Sequence, residues 1–211
     1  MTPVQTYYEN LAASMIKKME KRGFEGYYCP DSKSAVEKAL SLMETGSTIS
    51  WGGSMTLVET GLLQALDPEK YNILDRDKYP TPEEKKECYR KAFAADYFLM
   101  STNAITADGE LVNVDGNGNR VAMLVYGPEH VILMVGMNKV EPNLQAAIDR
   151  VHAKAAPPNA LRLGLKTPCA LTGSCADCLS PDCICAQTVI TRFSRTKGRI
   201  KVILIGETLG Y

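Results

Sequence analysis

The sequence predicts an α/β domain with an open, mostly parallel sheet and helices on both faces. Three observations carry that prediction. Strand-like and helix-like segments alternate along most of the chain. "HVILMVG" and "RIKVILIG" are apolar runs of the kind that a sheet covered on both sides buries. A glycine turn in "STISWGGSMTLVETG" joins a strand directly to a following helix. At 211 residues the chain fits one domain spanning 1–211, long enough to bury a real core.

Element by element, Tyr8, Leu11, Ala12, Met15 and Met19 recur at helical spacing, and Gly23 stops that helix after a basic last turn. "FEGYYC" is a strand, and Ala35, Val36, Ala39, Leu40 and Met43 form the apolar stripe of a helix over 31–44. After the glycine turn, Leu57, Val58, Leu62, Ala65 and Leu66 predict one helix, and "YNILD" is the next strand. Thr81, Pro82 and Glu84 make a capping-box start for a helix that leads into the strand "DYFLMST". "AITADGELVNVDGNGNRVAMLVYG" alternates apolar and polar residues around Asp-Gly and Asn-Gly turns, which predicts a hairpin feeding a short helix. Leu144, Ala147, Ile148, Val151 and Ala155 line the inner face of the next helix. Residues 156–190 then read as a cysteine-rich insertion held by something other than core packing. The sequence gives no sign of a second hydrophobic core.

The charge balance, 24 basic against 24 acidic residues, supplies no cationic face for neutralising phosphates and argues against a nucleic-acid partner. No run approaches a membrane span and the first residues lack the apolar core of a signal peptide, so the protein is expected to be cytoplasmic and free of membrane. In a reducing compartment clustered cysteines hold metals or do redox chemistry more often than they staple a fold. Five of the seven cysteines fall between Cys169 and Cys185. A pair spaced like Cys175 and Cys178 presents two thiolates to one metal, and the turn-forming residues around it let further cysteines close in; iron–sulfur ligation and zinc both suit such a run, and bare thiols are the simpler alternative. Cys29 and Cys88 are expected to be plain buried cysteines.

Gly52, Gly53, Ser54 and Thr56 sit where a strand gives way to a helix, a place that exposes backbone amides to an anion. The same glycines also serve a tight turn capped by Ser54 or Thr56. The run matches neither GxGxxG nor GxxxxGK, which removes support for dinucleotide and P-loop readings. Asn113 and Asp115, in turns that favour positive φ, and Lys139, directly after a buried strand, are the other candidates for the same crevice. The two histidines have no catalytic partner nearby in sequence; His152 falls within an amphipathic helix, at its surface or the edge of its buried face, and His130 before a buried strand.

Taken together, "WGGSMTLVETG", "NAITADGELVNVDGNGNRVA", "GMNKVEPNLQAAIDRV", "APPNALRL", "TPCALTGSCADC" and the terminal "ETLGY" resemble the lactate-utilisation (LUD) domain family over most of the chain from about residue 48. The resemblance implies the fold of the ribose-phosphate isomerase and CoA-transferase superfamily, and a role as a redox accessory or subunit in an iron–sulfur system that oxidises lactate to pyruvate. It implies Cys169, Cys175, Cys178 and Cys185 as ligands of an iron–sulfur cluster, with zinc as the alternative; Cys183 stands where the family pattern has an arginine. The partners implied are a small anionic metabolite and an iron–sulfur electron-transfer protein, and a homo-oligomer is open. Glu59 and Glu207 are the only glutamates to consider for a CoA-transferase nucleophile, and neither lies in that motif. An isomerase-like enzyme acting on a phosphorylated compound, with Asp108 or Asp115 as its base, and a metal-stapled regulatory domain are the other readings.

Overall fold

The computed structural model describes residues 1–211. Six strands form the main sheet: β1 (Glu25–Cys29), β2 (Thr48–Trp51), β3 (Asn72–Leu74), β4 (Tyr97–Met100), β7 (His130–Gly136) and β10 (Ile200–Ile205). Their order is β1-β10-β7-β4-β2-β3, and every neighbouring pair is parallel. Side chains alternate across this sheet as the pleat requires. On β7, Val131, Leu133 and Val135 enter one core, shared with Met15, Met19, Phe98 and Val202, while Ile132 and Met134 enter the other, with Ile49, Leu57, Leu99 and Ile203. The apolar runs of β7 and β10 are the consequence of that two-sided burial.

Helices α1 (Pro3–Lys21) and α6 (Asn119–Val125) cover the first face; α2 (Ser32–Ser41), α3 (Met55–Glu59) and α4 (Leu62–Ala65) cover the second. Helix α1 starts on the reciprocal Thr2–Gln5 cap, and α5 (Pro82–Ala92) starts on the Thr81–Glu84 box expected from its sequence. The single helix predicted after the glycine turn is two short ones. Gly61 takes φ 77° between them, and Val58 faces solvent. No helix is long and apolar enough to cross a membrane.

A second sheet was not foreseen. The hairpin β5 (Ala104–Thr106) and β6 (Leu111–Asp115) pairs with β8 (Val140–Glu141) on one side and β9 (Gln187–Thr191) on the other. Its small core of Ala104, Val112 and Val114 packs against Ala147 and Val151 of the helix that follows β8. Three-residue strands carry too little periodicity to declare a sheet of their own.

The helix α7 (Leu144–Arg150) does not stop before "APPNALRL" as expected. A π-turn over Val151–Ala155 carries it into α8 (Ala156–Arg162). Pro157 has no N–H to return to the carbonyl four residues back, and the wider turn removes that requirement. The region read as an insertion is therefore anchored at both ends. Ala156, Pro157, Ala160, Thr167 and Cys169 are buried at its start, the last two at the head of the short helix α9 (Pro168–Thr172), and β9 pairs with β6 at its end.

Arg199, just before β10, closes the C-terminal end of α6. Its guanidinium donates to the carbonyls of Met123 (2.9 Å), Leu124 (2.7 Å) and Pro128 (3.0 Å). Truncation leaves three carbonyls to find water at a half-buried helix end. Arg199→Ala is expected to lower stability by about 2 kcal/mol, read as a lower urea midpoint at unchanged m-value; an unchanged midpoint would show that solvent replaces the guanidinium freely.

Candidate functional site

A crevice of about 240 Å³ opens at the carboxyl ends of β2, β4 and β7, where ligands bind in open parallel sheets. Its wall comes from five places: Gly53 and Ser54 after β2, Arg76 after β3, Ser101 to Asn103 after β4, Asp115 to Arg120 around the start of α6, and Lys139 after β7. Asn159 and Arg162 of α8 and Ile184 and Cys185 of the cysteine loop close the far side. Four cations, Arg76, Arg120, Lys139 and Arg162, face a single carboxylate, Asp115. The excess positive charge suits an anion.

Of the residues singled out in the sequence, Gly53, Ser54, Asp115 and Lys139 reach the wall, whereas Gly52, Thr56 and Asn113 stand behind it. Gly52 lies under Arg120, where a Cβ would come 2.9 Å from its Cγ. Gly53 faces Arg76, whose Nη2 would be 3.0 Å from an added Cβ. Ser54 caps α3, accepting from the Leu57 amide at 3.4 Å. With only five residues, α3 contributes little dipole, so the side-chain cations dominate.

Arg120 is the organising residue, and nothing in the sequence marks it beyond its place after an Asn-Gly turn. Its Nη1 donates to the Ser101 carbonyl (3.1 Å) and Asn113 Oδ1 (2.6 Å), and its Nη2 to Asn103 Oδ1 (2.9 Å) and the Val114 carbonyl (2.7 Å). Its Nε lies 3.5 Å from Asp115. The demand on Asn113 is one-sided: Oδ1 accepts from Arg120, while the buried Nδ2 has no partner. Arg76 and Arg162 were equally unmarked, although Arg76 follows β3 at the same sheet edge and could have been found by listing residues just past each strand.

Lys139 is 3% exposed and donates to Thr56 Oγ1 (2.9 Å) and Ser101 Oγ (3.1 Å). Burial, then the charges of Arg150 and Arg120, bring its ammonium down to about 7. Arg150 is itself buried and is held by the carbonyls of Asn103 (2.6 Å) and Asn138 (3.1 Å), with Glu141 at 3.9 Å.

The cysteine loop meets this crevice through Cys185. Burial raises the Cys185 thiol, and charge on Cys183, Cys175 and Cys169 raises it further, to about 12. Cys183 Sγ accepts from the Cys185 amide at 3.4 Å, and Cys178 Sγ lies 3.6 Å from Ser180 Oγ. Cys175 Sγ lies 3.5 Å from His152 Nδ1. No three donors already converge at coordination distance. As a donor set, a run of thiols suits a thiophilic cation, whose charge stabilises the thiolates that would otherwise repel one another. Cys29 and Cys88 are buried elsewhere, in β1 and α5, as expected.

One comparison with a solved structure agrees with this architecture over nearly the whole chain. Among solved structures, a DUF162 family protein from Deinococcus radiodurans superimposes with a TM-score of 0.52 at 11% identity, covering 94% of this chain and 98% of its own. The delta subunit of eIF2B from Chaetomium thermophilum matches at 24% identity with a TM-score of 0.34, over 53% of this chain and 48% of its own. No curated protein matches the chain. A family model described as the LUD domain matches residues 12–205. Because that match runs through both sheets, the crevice and the whole cysteine loop, the chain belongs to the LUD domain family.

Proposed function

We propose that the protein is a redox accessory or subunit of lactate oxidation to pyruvate, whose crevice binds a small carboxylate and whose cysteine loop holds an iron–sulfur cluster. The observation that carries this reading is that Cys185 lies in the same wall as Lys139 and Arg120. Thiol ligands and a cationic recess are thereby placed side by side. Cys169, Cys175, Cys178 and Cys185 would hold the cluster, and Cys183, whose Sγ accepts from the Cys185 amide at 3.4 Å, is the thiol that would substitute for one of them. When bound, the cluster supplies one-electron transfer to or from an iron–sulfur partner protein. This chain's own residues bind and orient the anion. Arg76 has a guanidinium nitrogen, Nη2, left over after Nη1 donates to Tyr89 Oη and Nε pairs with Asp77, and Ser54 keeps its hydroxyl proton for an acceptor in the crevice.

A second reading has support of its own. The Cys175–His152 contact joins a nitrogen to the sulfurs, a mixed set that zinc accepts in structural sites. Zinc would make the loop a clamp.

Iron, zinc and acid-labile sulfide per chain, measured on protein purified without oxygen, separate the two. Iron and sulfide in near-equal amounts are expected, and Cys185→Ser is expected to lose them while the far-ultraviolet dichroism is retained. Stoichiometric zinc without sulfide would establish the clamp and remove electron transfer.

The crevice makes its own prediction. Lys139 titrates near 7, so the site carries one more positive charge at pH 6 than at pH 8. Lactate affinity is therefore expected to fall on the order of tenfold over that range, the effect of one nearby charge in a partly screened site. In Lys139→Gln the profile should be flat. Calorimetric titration at both pH values checks the sign, and a wild-type affinity that rises with pH would show that lactate does not sit beside this amine.

A further inference from the structure

We infer that Lys139 is a covalent residue, forming an imine with the carbonyl of a small 2-oxo acid held in the crevice. The inference rests on the crevice being a carboxylate site, as proposed above, and adds a substrate class and a chemical role for one residue in it.

The hydrogen-bond count around the amine carries the argument. Lys139 takes part in no ion pair of the structure. Its nitrogen has two acceptors, Thr56 Oγ1 and Ser101 Oγ. Each hydroxyl spends its own proton on a backbone carbonyl, Thr56 on Leu209 and Ser101 on Thr102, both at 3.4 Å. With their protons so placed, both hydroxyl oxygens accept from the nitrogen. An ammonium brings three hydrogens to this place, and the third has no acceptor from the protein. A neutral amine brings two, both satisfied, and presents its lone pair where the third would have been. The C-terminal segment bounds the nitrogen on the side of Gly210, where an added Cβ would lie 3.3 Å away, and the crevice is the open side. Arg150 and Arg120 oppose protonation further, against a smaller opposite effect of the Glu59 carboxylate. An unpaired, desolvated amine among cationic neighbours is the arrangement that activates lysine for attack on a carbonyl.

The crevice also supplies what a 2-oxo acid needs besides a nucleophile. Arg162 donates Nε and Nη2 to Asn159 Oδ1, leaving its Nη1 for a carboxylate, as Arg76 leaves Nη2. A carboxylate held there leaves the adjacent carbonyl carbon to meet the amine. The nitrogen attacks that carbon, the carbon–oxygen double bond breaks and a carbon–nitrogen double bond forms. Both amine hydrogens leave with the carbonyl oxygen as water, and nothing is oxidised or reduced. A 2-hydroxy acid has no carbonyl and binds only through its charge. The crevice thus treats the two ends of a hydroxy-acid oxidation differently, holding the oxidised end covalently.

Trapping decides it. The full chain is incubated with pyruvate and sodium cyanoborohydride at pH 8, digested, and its peptides are weighed. The expected result is a reduced adduct on the peptide bearing Lys139, more abundant at pH 8 than at pH 6, absent with lactate, and absent from Lys139→Arg. Pyruvate binding seen by calorimetry with no adduct at Lys139 would overturn the imine and leave the carboxylate crevice standing. No binding and no adduct would overturn both. Adducts spread over exposed lysines, with Lys139 not enriched, would also overturn the imine, and the wild-type measurement needs no variant to fold.

Discussion

The guanidinium of Arg120 is the constraint on which the rest of the site depends. It is the point where the two sheets are tied together. One nitrogen reaches the carbonyl that ends β4 of the main sheet, and both reach the β6 hairpin and its Asn103 support. Asn103 Oδ1 in turn accepts from the Val114 amide, and Thr102 Oγ1 bonds the carbonyls of Ala104 and Val112, so the strand that leaves the large sheet is pinned as it enters the small one. A planar fork with fixed donor directions can satisfy four acceptors in such a junction; an ammonium with three donors cannot. Gly52 is required beneath it because any side chain there would displace the arginine stem.

That solution has an electrostatic consequence. Arg120 and Arg150 are both held mainly by carbonyl oxygens, which satisfy their hydrogens without cancelling their charge. Asp115 and Glu141 stand only at 3.5 and 3.9 Å from them. Positive potential remains in a place from which water is largely excluded, and Lys139 lies within it. Burial and like charge act in the same direction on an amine. The depressed lysine and the proposed anion site thus have one cause: the field that resists a third cation is a field that would attract a carboxylate.

Much of the fold was legible because it rests on strong periodic signals. The long apolar strands, the Thr81 capping box and the stop at Gly23 are local consequences of composition, and they appear where the sequence puts them. The small sheet was not legible, since β5 and β8 have three and two residues and owe their pairing to the hairpin and to α7. Nor was the passage from α7 into α8, where a local helix breaker is absorbed by a change of helical register. At the crevice, the glycine loop, Asp115 and Lys139 could be found from the rule that ligands gather past strand ends. Arg120 and Arg162 could not, because what selects them is the direction of a side chain across a junction of distant elements. Thr56 and Asn113 show the reverse case: polar residues in the right segment that turn inward, one to hold the lysine and the other to hold the arginine.

The cysteine loop poses a question of order that core packing does not answer. Its ends are fixed, with Cys169 buried in α9 and Gln187 paired in β9, but from Leu171 to Asp177 every residue is exposed, and Asp177 takes a positive φ of 48°. Two turn hydrogen bonds, Gly173 to Cys169 and Cys183 to Ser180, are its main backbone ties. Fixing each residue of such a segment costs about 1 to 2 kcal/mol of backbone entropy, with almost no apolar burial to offset it. Leu171 and Leu179 point into solvent. What the loop does have is sulfur near its fixed ends, Cys169 in α9 and Cys183 and Cys185 just before β9. Coordination can supply the missing free energy, because ligands tied to both anchors turn metal binding into loop ordering. On that argument the loop and the crevice are coupled: whatever orders the loop also sets Ile184 and Cys185 as the outer wall of the crevice.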